Sequence, residues 1–381
     1  MRTNEKIDAK WLIGTCGLAD KYGTGLVFGK DRSVYGFPKG AGWSVCVSYP
    51  VGDAGADTVD AVLARFPDGA CFGENGKAVK GYAKLDYDPD APAMFTIDPA
   101  TNVVKVTSGR IRLSSAALVA NNMPLPTLAD PSMFADLDLA ELVPKRVLSA
   151  LCESASKDES RPALVRVFCS DFRGERHLCA TNGRIAILHK VGDAVPDGFS
   201  VNDKKVRLKY IAGYYMETDK SANAESGVTH CYRLRDGVTV VERMGKNVVF
   251  PSGFDMVVGN WFEGDPLGSL TPEYAAEIVS GVTRLGLASA AMVQGLENGN
   301  VRVLESASGV LAEFEGGGGR SSGSPESCTD TGMFITAAKL GFGIDARRSE
   351  HTDSAGTKLY THAVTFGNGE TCGVVMGIRL I

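Results

Sequence analysis

No run of apolar residues in the sequence reaches the ~18 that a membrane helix needs. No C-x-x-C pair occurs either. The nine cysteines (Cys16, Cys46, Cys71, Cys152, Cys169, Cys179, Cys231, Cys328 and Cys372) are odd in number and widely spaced. A disulfide framework is therefore not indicated, and they read as reduced, mostly buried thiols in a cytoplasmic compartment. The five histidines are equally scattered, and none is paired at metal-ligand spacing. Neither a metal nor a cofactor is expected. An excess of basic charge is missing as well, since the formal net charge is −5. Ordinary DNA-binding domains are often basic, so this argues mildly against one, though not against a chain that gathers its basic residues on one surface. The opening Met1-Arg2-Thr3-Asn4-Glu5-Lys6 leads into a mixed segment without the apolar stretch of a secretory signal.

What is present is ample apolar material. With 381 residues, 44% of them hydrophobic, the chain can build a proper core and has the length of two or three domains. One order of elements (helix, strands, helix, strands) recurs three times. In the first copy the spacing predicts helices over 7–22 and 57–66, strands over 25–28 and 43–49, and a hairpin over 103–113 turning at Ser108-Gly109. The second copy has a helix from about 137 to 151 and strands over 163–168, 177–181 and 184–188. It continues with a helix over 203–217 and strands over 231–234, 238–242 and 247–250, with Asp236-Gly237 as a hairpin turn. The third opens at Thr271-Pro272, a cap and first position for a helix to about 288. Strands over 301–304 and 310–314, a helix over 336–345 and strands over 359–366 and 372–380 complete it. The interval of roughly 125 residues is too long for a solenoid and fits a triplicated domain, divided as 1–132, 133–265 and 266–381. Pattern alone leaves open a blander reading, in which any chain of mixed class alternates its elements. The fold class is α+β on either reading.

Several stretches look chemical without being so. Gly319 to Gly323 matches G-x-S-x-G, but its surroundings are Gly, Ser and Pro325, which describe a loop rather than the strand-to-helix turn a serine nucleophile needs. No G-x-x-x-x-G-K-[ST] phosphate loop is present. Asp86-Tyr87-Asp88-Pro89-Asp90 lacks the calcium-loop pattern and reads as a solvated turn. Glu217-Thr218-Asp219 reads as an acidic pair at a surface helix end.

Three other stretches carry a resemblance. Ser160-Arg161-Pro162-Ala163-Leu164 leads to Cys179-Ala180-Thr181-Asn182-Gly183-Arg184-Ile185-Ala186, and the chain closes with Gly373-Val374-Val375-Met376-Gly377-Ile378-Arg379-Leu380-Ile381. These resemble the R-x-x-L, A-T-D-G-H-R-L-A and terminal V-V-M-P-M-R-L of the bacterial beta sliding clamp, the processivity subunit of DNA polymerase III. Asn102 to Ser114 is similar to that family's strand–S-G-R–strand hairpin. This sequence departs from the pattern in lacking the histidine between Gly183 and Arg184, in Gly377 where the family has proline, and in one extra residue, Ile381. Such divergence would suit a clamp encoded by a phage for its own polymerase.

The resemblance implies three clamp domains per chain, two chains closing head to tail into a ring with helices lining the hole and sheets outside, and no catalysis. It implies double-stranded DNA as a sequence-independent partner, held through phosphates so that the ring slides. Basic side chains on the helix segments would face the duplex: Lys6, Lys10, Lys21, Arg65, Lys145, Arg146, Lys204, Lys205, Arg207, Lys209, Arg284, Lys339, Arg347 and Arg348. It further implies an apolar pocket for a short peptide of the polymerase and the clamp loader. Carried over by position, its lining is Leu164, Thr181, Gly183, Arg184, Ile185, Pro251, Val374, Met376, Ile378, Arg379 and Leu380, with Met256 and Val257 at about the right distance after Phe250-Pro251. On this reading the terminal strand is one wall of the pocket, and Leu164 with 181–185 the opposite one. Two other readings stay open: a clamp-like scaffold or peptide-binding protein that does not encircle DNA, and an enzyme with an unrecognised site.

Overall fold

The computed structural model describes residues 7–38, 45–73, 77–85, 92–120, 131–202, 205–218, 227–244, 250, 254, 258–290, 292–295, 300–306, 309–315, 328–352, 356 and 358–377. Among them the helices are α1 (Lys10–Tyr22), α2 (Gly52–Arg65), α3 (Lys77–Ala83), α4 (Leu139–Leu142), α5 (Lys145–Ser154), α6 (Lys205–Tyr210), α7 (Asn260–Glu263), α8 (Pro272–Arg284) and α9 (Thr331–Ala338). The mixed α+β class expected from the sequence is the class observed.

The chain divides into two compact units, Met1–Asp136 with Ala212–Lys246, and Leu137–Ile211 with Asn247–Ile381. The first unit holds α1–α3 and two sheets. One has four strands in the order Ile7–Asp8, Met94–Ile97, Val103–Ser108, Ile111–Ala117. The other has nine: Ala135–Asp136, Ile211–Thr218, Val228–Leu234, Thr239–Met244, Val45–Tyr49, Val34–Gly36, Leu26–Phe28, Ala70–Phe72, Val119–Ala120. Its central join is antiparallel, Val241 opposite Cys46. Helix α1 buries Leu12, Ile13, Cys16 and Ala19, the face its apolar spacing dictates. Trp11 donates its indole N–H to the Pro50 carbonyl at 3.0 Å. Its ring covers Gly55 so closely that a Cβ there would lie 2.5 Å away.

The second unit holds α4–α9, a sheet of four strands (Gly309–Phe314, Val301–Ser306, Met292–Gly295, Cys328–Asp330) and a sheet of eight. The eight run Ser200–Asn202, Arg166–Phe172, Glu175–Thr181, Ile185–Lys190, Thr371–Met376, Lys358–Gly367, Ile344–Thr352, Asp265–Leu270. Helix α8 starts as its sequence requires: Thr271 Oγ1 accepts the Tyr274 N–H at 3.3 Å and Pro272 fills the first position. Thr271→Ala is expected to cost about 1 kcal/mol, read as a lowered urea midpoint that Thr271→Ser largely restores.

Elsewhere the structure corrects the sequence reading. The helix expected from 137 to 151 is two helices, because Val143 precedes Pro144 and takes extended backbone (φ −128°, ψ 125°). The helix expected over 203–217 ends at Tyr210, and the β-branched and aromatic residues after it form the strand Ile211–Thr218. The acidic Glu217 is thus on a strand rather than at a helix end. The helix expected over 336–345 is Thr331–Ala338, capped by Asp330, whose carboxylate accepts the Met333 N–H at 3.1 Å. Residues from Ile344 onward belong to a strand. Helix α3 was not foreseen. The strand expected over 247–250 and the segments 86–90 and 316–324 lie outside the described residues, apart from Phe250.

Candidate functional site

The loop from Thr181 to Arg184 is built by its own side chains. Asn182 Oδ1 accepts the N–H groups of Arg184 (2.8 Å) and Ile185 (3.0 Å), and Thr181 Oγ1 accepts that of Gly183 (3.0 Å). Gly183 has φ +87°, backbone that glycine adopts at little cost. The loop delivers Ile185–Lys190 antiparallel to Thr371–Met376, Ala186 opposite Val374. The ladder continues past the strand end, with the Met376 N–H on the Arg184 carbonyl at 2.7 Å. The 181–185 segment and the terminal strand are therefore neighbours in one sheet, not the opposite walls expected from the sequence.

Alternation along these strands decides which side chains share a face. Ala186, Leu188, Val374 and Met376 join Phe168, Phe172, Cys179 and Ala363 in one apolar cluster, against which Phe250, Phe254, Val258, Trp261 and Phe262 pack. Phe168 lies at its base, fully buried, its ring 5.1 Å from Phe250 and 6.1 Å from Phe254. Most of this face is closed by the chain's own aromatic residues. Its accessible end is where Met376 is half-buried and Gly183 and Arg184 are exposed.

Of the residues expected in the pocket, Thr181, Gly183, Arg184, Val374 and Met376 gather at this end. Ile185 does not: it pairs with Val375, and both are buried on the other face of the sheet. Ala186 takes the place expected for it. Leu164 is half-buried in the turn before Arg166–Phe172 rather than on a strand. The Arg161 guanidinium reaches the Asn182 carbonyl at 3.5 Å, beside Gly183. Pro251, Met256, Val257, Ile378, Arg379 and Leu380 lie outside the described residues. Sequence reasoning missed Phe168, Phe172 and Trp261. Phe168 and Phe172, four residues apart on one strand and so on one face, were the available signal, whereas Trp261 follows no period.

Gly377 explains its own departure from the family pattern. Its N–H donates to the His362 carbonyl at 2.8 Å, and a Cβ on it would lie 2.5 Å from that oxygen. Proline here would lose the donor as well as collide.

The basic candidates fall into distinct settings. Lys10 opens α1, with its backbone N–H on Asp8. Lys21, in the last turn of α1, pairs with Asp236 at 2.8 Å. Arg65, ending α2, donates to Asn102 Oδ1 and the Pro99 carbonyl. Lys145 and Arg146 open α5, exposed, and Arg146 lies over the Phe342 ring at 5.5 Å. Lys209 is half-buried on α6, which Lys205 and Arg207 also enter; Arg284 ends α8 and Lys339 follows α9, both exposed. In the second unit α5 packs on α6 and α9, and α8 on α9, so these cations belong to one helical layer. Lys6 and Lys204 lie outside the described residues. Arg347 and Arg348 are not on a helix at all. They are successive residues of the strand Ile344–Thr352 and so point to opposite faces. Arg347 is across from Ala363 on the face of the apolar cluster, its guanidinium on the Gly264 carbonyl at 3.0 Å and near Asp345.

The described cysteines are not prepared as nucleophiles. Burial pushes the Cys46 and Cys169 thiols up to about 12 and Cys328 and Cys372 to about 11, so they stay protonated at neutral pH. Among the described residues no group of three or more His, Cys, Asp or Glu could hold a metal ion. Among them, too, no helix is long and apolar enough to cross a membrane.

No protein-family model and no curated protein matches the sequence. Solved structures match it along its length. The DNA polymerase III beta subunit of Thermotoga maritima superposes with a TM-score of 0.62 at 15% identity, covering 99% of each chain. The DNA polymerase sliding clamp of Caulobacter crescentus gives 0.62 at 13%, covering 98% of this chain and 99% of that one. A ligand-bound sliding clamp of Pseudomonas aeruginosa gives 0.61 at 14%, with the same coverage. The fold of this chain, from one end to the other, is that of the DNA polymerase sliding clamps.

Proposed function

We propose that the chain is a sliding clamp: a homodimeric, cytoplasmic ring that encircles duplex DNA without sequence preference and tethers a DNA polymerase, itself performing no chemistry. The end-to-end likeness to DNA polymerase sliding clamps carries this reading. The strand orders support three domains at about 1–132, 133–265 and 266–381. The middle segment supplies four strands to the nine-stranded sheet and four to the eight-stranded one, and each end segment completes one of them and owns a further sheet of four. Two open sheet edges, Ile111–Ala117 and Gly309–Phe314, support ring closure. They expose Ile111 (46%), Val310 (52%) and Leu311 (42%), and an exposed apolar edge is a surface for another strand. Pairing one edge of each copy with the other edge of its partner is a heterologous contact that closes after one rotation.

The helix-borne cations supply phosphate contacts, and the Met376–Arg184 end of the apolar face takes an apolar peptide of the polymerase or the clamp loader. A methionine there adapts to varied peptides. Origin in a phage accords with the altered loop and Gly377. Enclosure is tested by loading the protein on a circular duplex and then cutting it: retention should be lost on linearisation. Retention that survives the cut would overturn enclosure, and a monomer in solution would favour the non-encircling scaffold.

A further inference from the structure

The eight-stranded sheet has a second recess, at the end of its strands away from Met376. A groove of about 520 Å³ opens there, lined by Ala140–Pro144 on one side and by His189–Gly192 with Glu370 on the other. The His189–Glu370 wall is tied within itself: His189, buried, has Nδ1 2.7 Å from the Thr371 hydroxyl. The Lys190 N–H donates to the Glu370 carbonyl at 2.8 Å. Such a recess is formed before anything enters it, which lowers the ordering cost of binding. Leu142 stands at its rim 41% exposed, beside Pro144 and Val191. Glu141 and Glu370 bring carboxylates from opposite walls, and the ammonium of the lining, that of Lys190, is 2.6 Å from Glu175.

We propose that this groove docks a partner segment carrying a lysine or arginine beside an aliphatic side chain. The aliphatic group covers Leu142 and Val191, and the cation lies between Glu141 and Glu370. The site is distinct from the Met376 face and does not rest on that face binding peptides.

The test uses the full chain and a labelled peptide of alternating lysine and leucine, with a glutamate–leucine peptide of equal apolar content as its counterpart. Anisotropy should show saturable binding of the basic probe only. Photo-cross-links should fall in Ala140–Pro144 and His189–Gly192. Glu370→Lys and Leu142→Ser, both at exposed positions, should each weaken binding about fivefold. Glu273→Lys, the same charge change in the first turn of α8, and Met376→Ala should leave it unaltered. Equal weakening by Glu273→Lys, cross-links spread elsewhere, or equal binding of the acidic probe would each overturn the proposal.

Discussion

Phe168→Ala should cost the chain about 3–5 kcal/mol, the usual range for emptying a buried aromatic site. Phe168 is fully buried, stacked on Phe250 at 5.1 Å and tilted against Phe254 at 6.1 Å. Its removal leaves a cavity in the apolar cluster and forfeits two ring–ring contacts, each contributing about 0.5–1.5 kcal/mol beyond area. Since whole domains are stable by only about 5–15 kcal/mol, the urea midpoint should drop steeply. Hydrogen-exchange protection should fall in Arg166–Phe172 and Thr371–Met376. Phe168→Leu keeps much of the volume and should lose far less. A midpoint unmoved by the alanine would show that this cluster is not a core.

Gly377→Pro, although it writes the beta-clamp residue into the sequence, should damage the Met376 end of the apolar face, proposed above to take a peptide, rather than improve it. Loss of the hydrogen bond to His362 exposes an unsatisfied carbonyl, at about 1–3 kcal/mol. The contact at 2.5 Å adds an overpacking cost of about 1–3 kcal/mol. A labelled peptide with leucine and phenylalanine anchors should bind at least about tenfold more weakly. Gly377→Ala retains the N–H and should fall in between. Equal or tighter binding by the proline variant would refute this account of the terminal strand.

The sequence carried the site's strings but not their pairing. Thr271-Pro272 and Asp236-Gly237 each encode a local conformation, and each is found where expected because its cause lies within a few residues. That Ala186 rather than Ile185 shares the face of Val374 depends on register between strands nearly two hundred residues apart, which no local signal fixes. Arg347 and Arg348 were read as helix residues because the apolar run before them continues past the true end of α9 at Ala338. Likewise, the residues 211–218 carry apolar spacing that a helix or a strand would satisfy, and only the neighbouring strand of the nine-stranded sheet selects between them.

The join of Val45–Tyr49 to Thr239–Met244 also sets a timetable for synthesis. At ~5–20 residues per second, the ~190 residues between these strands take about 10–40 s to leave the ribosome. For that time the edge of Val45–Tyr49 that faces Thr239–Met244 has no native partner, and the run Cys46, Val47, Ser48, Tyr49, buried in the folded sheet, is open to any other strand. Nascent chains truncated before residue 239 should therefore recruit chaperones, and those extended beyond residue 244 should release them.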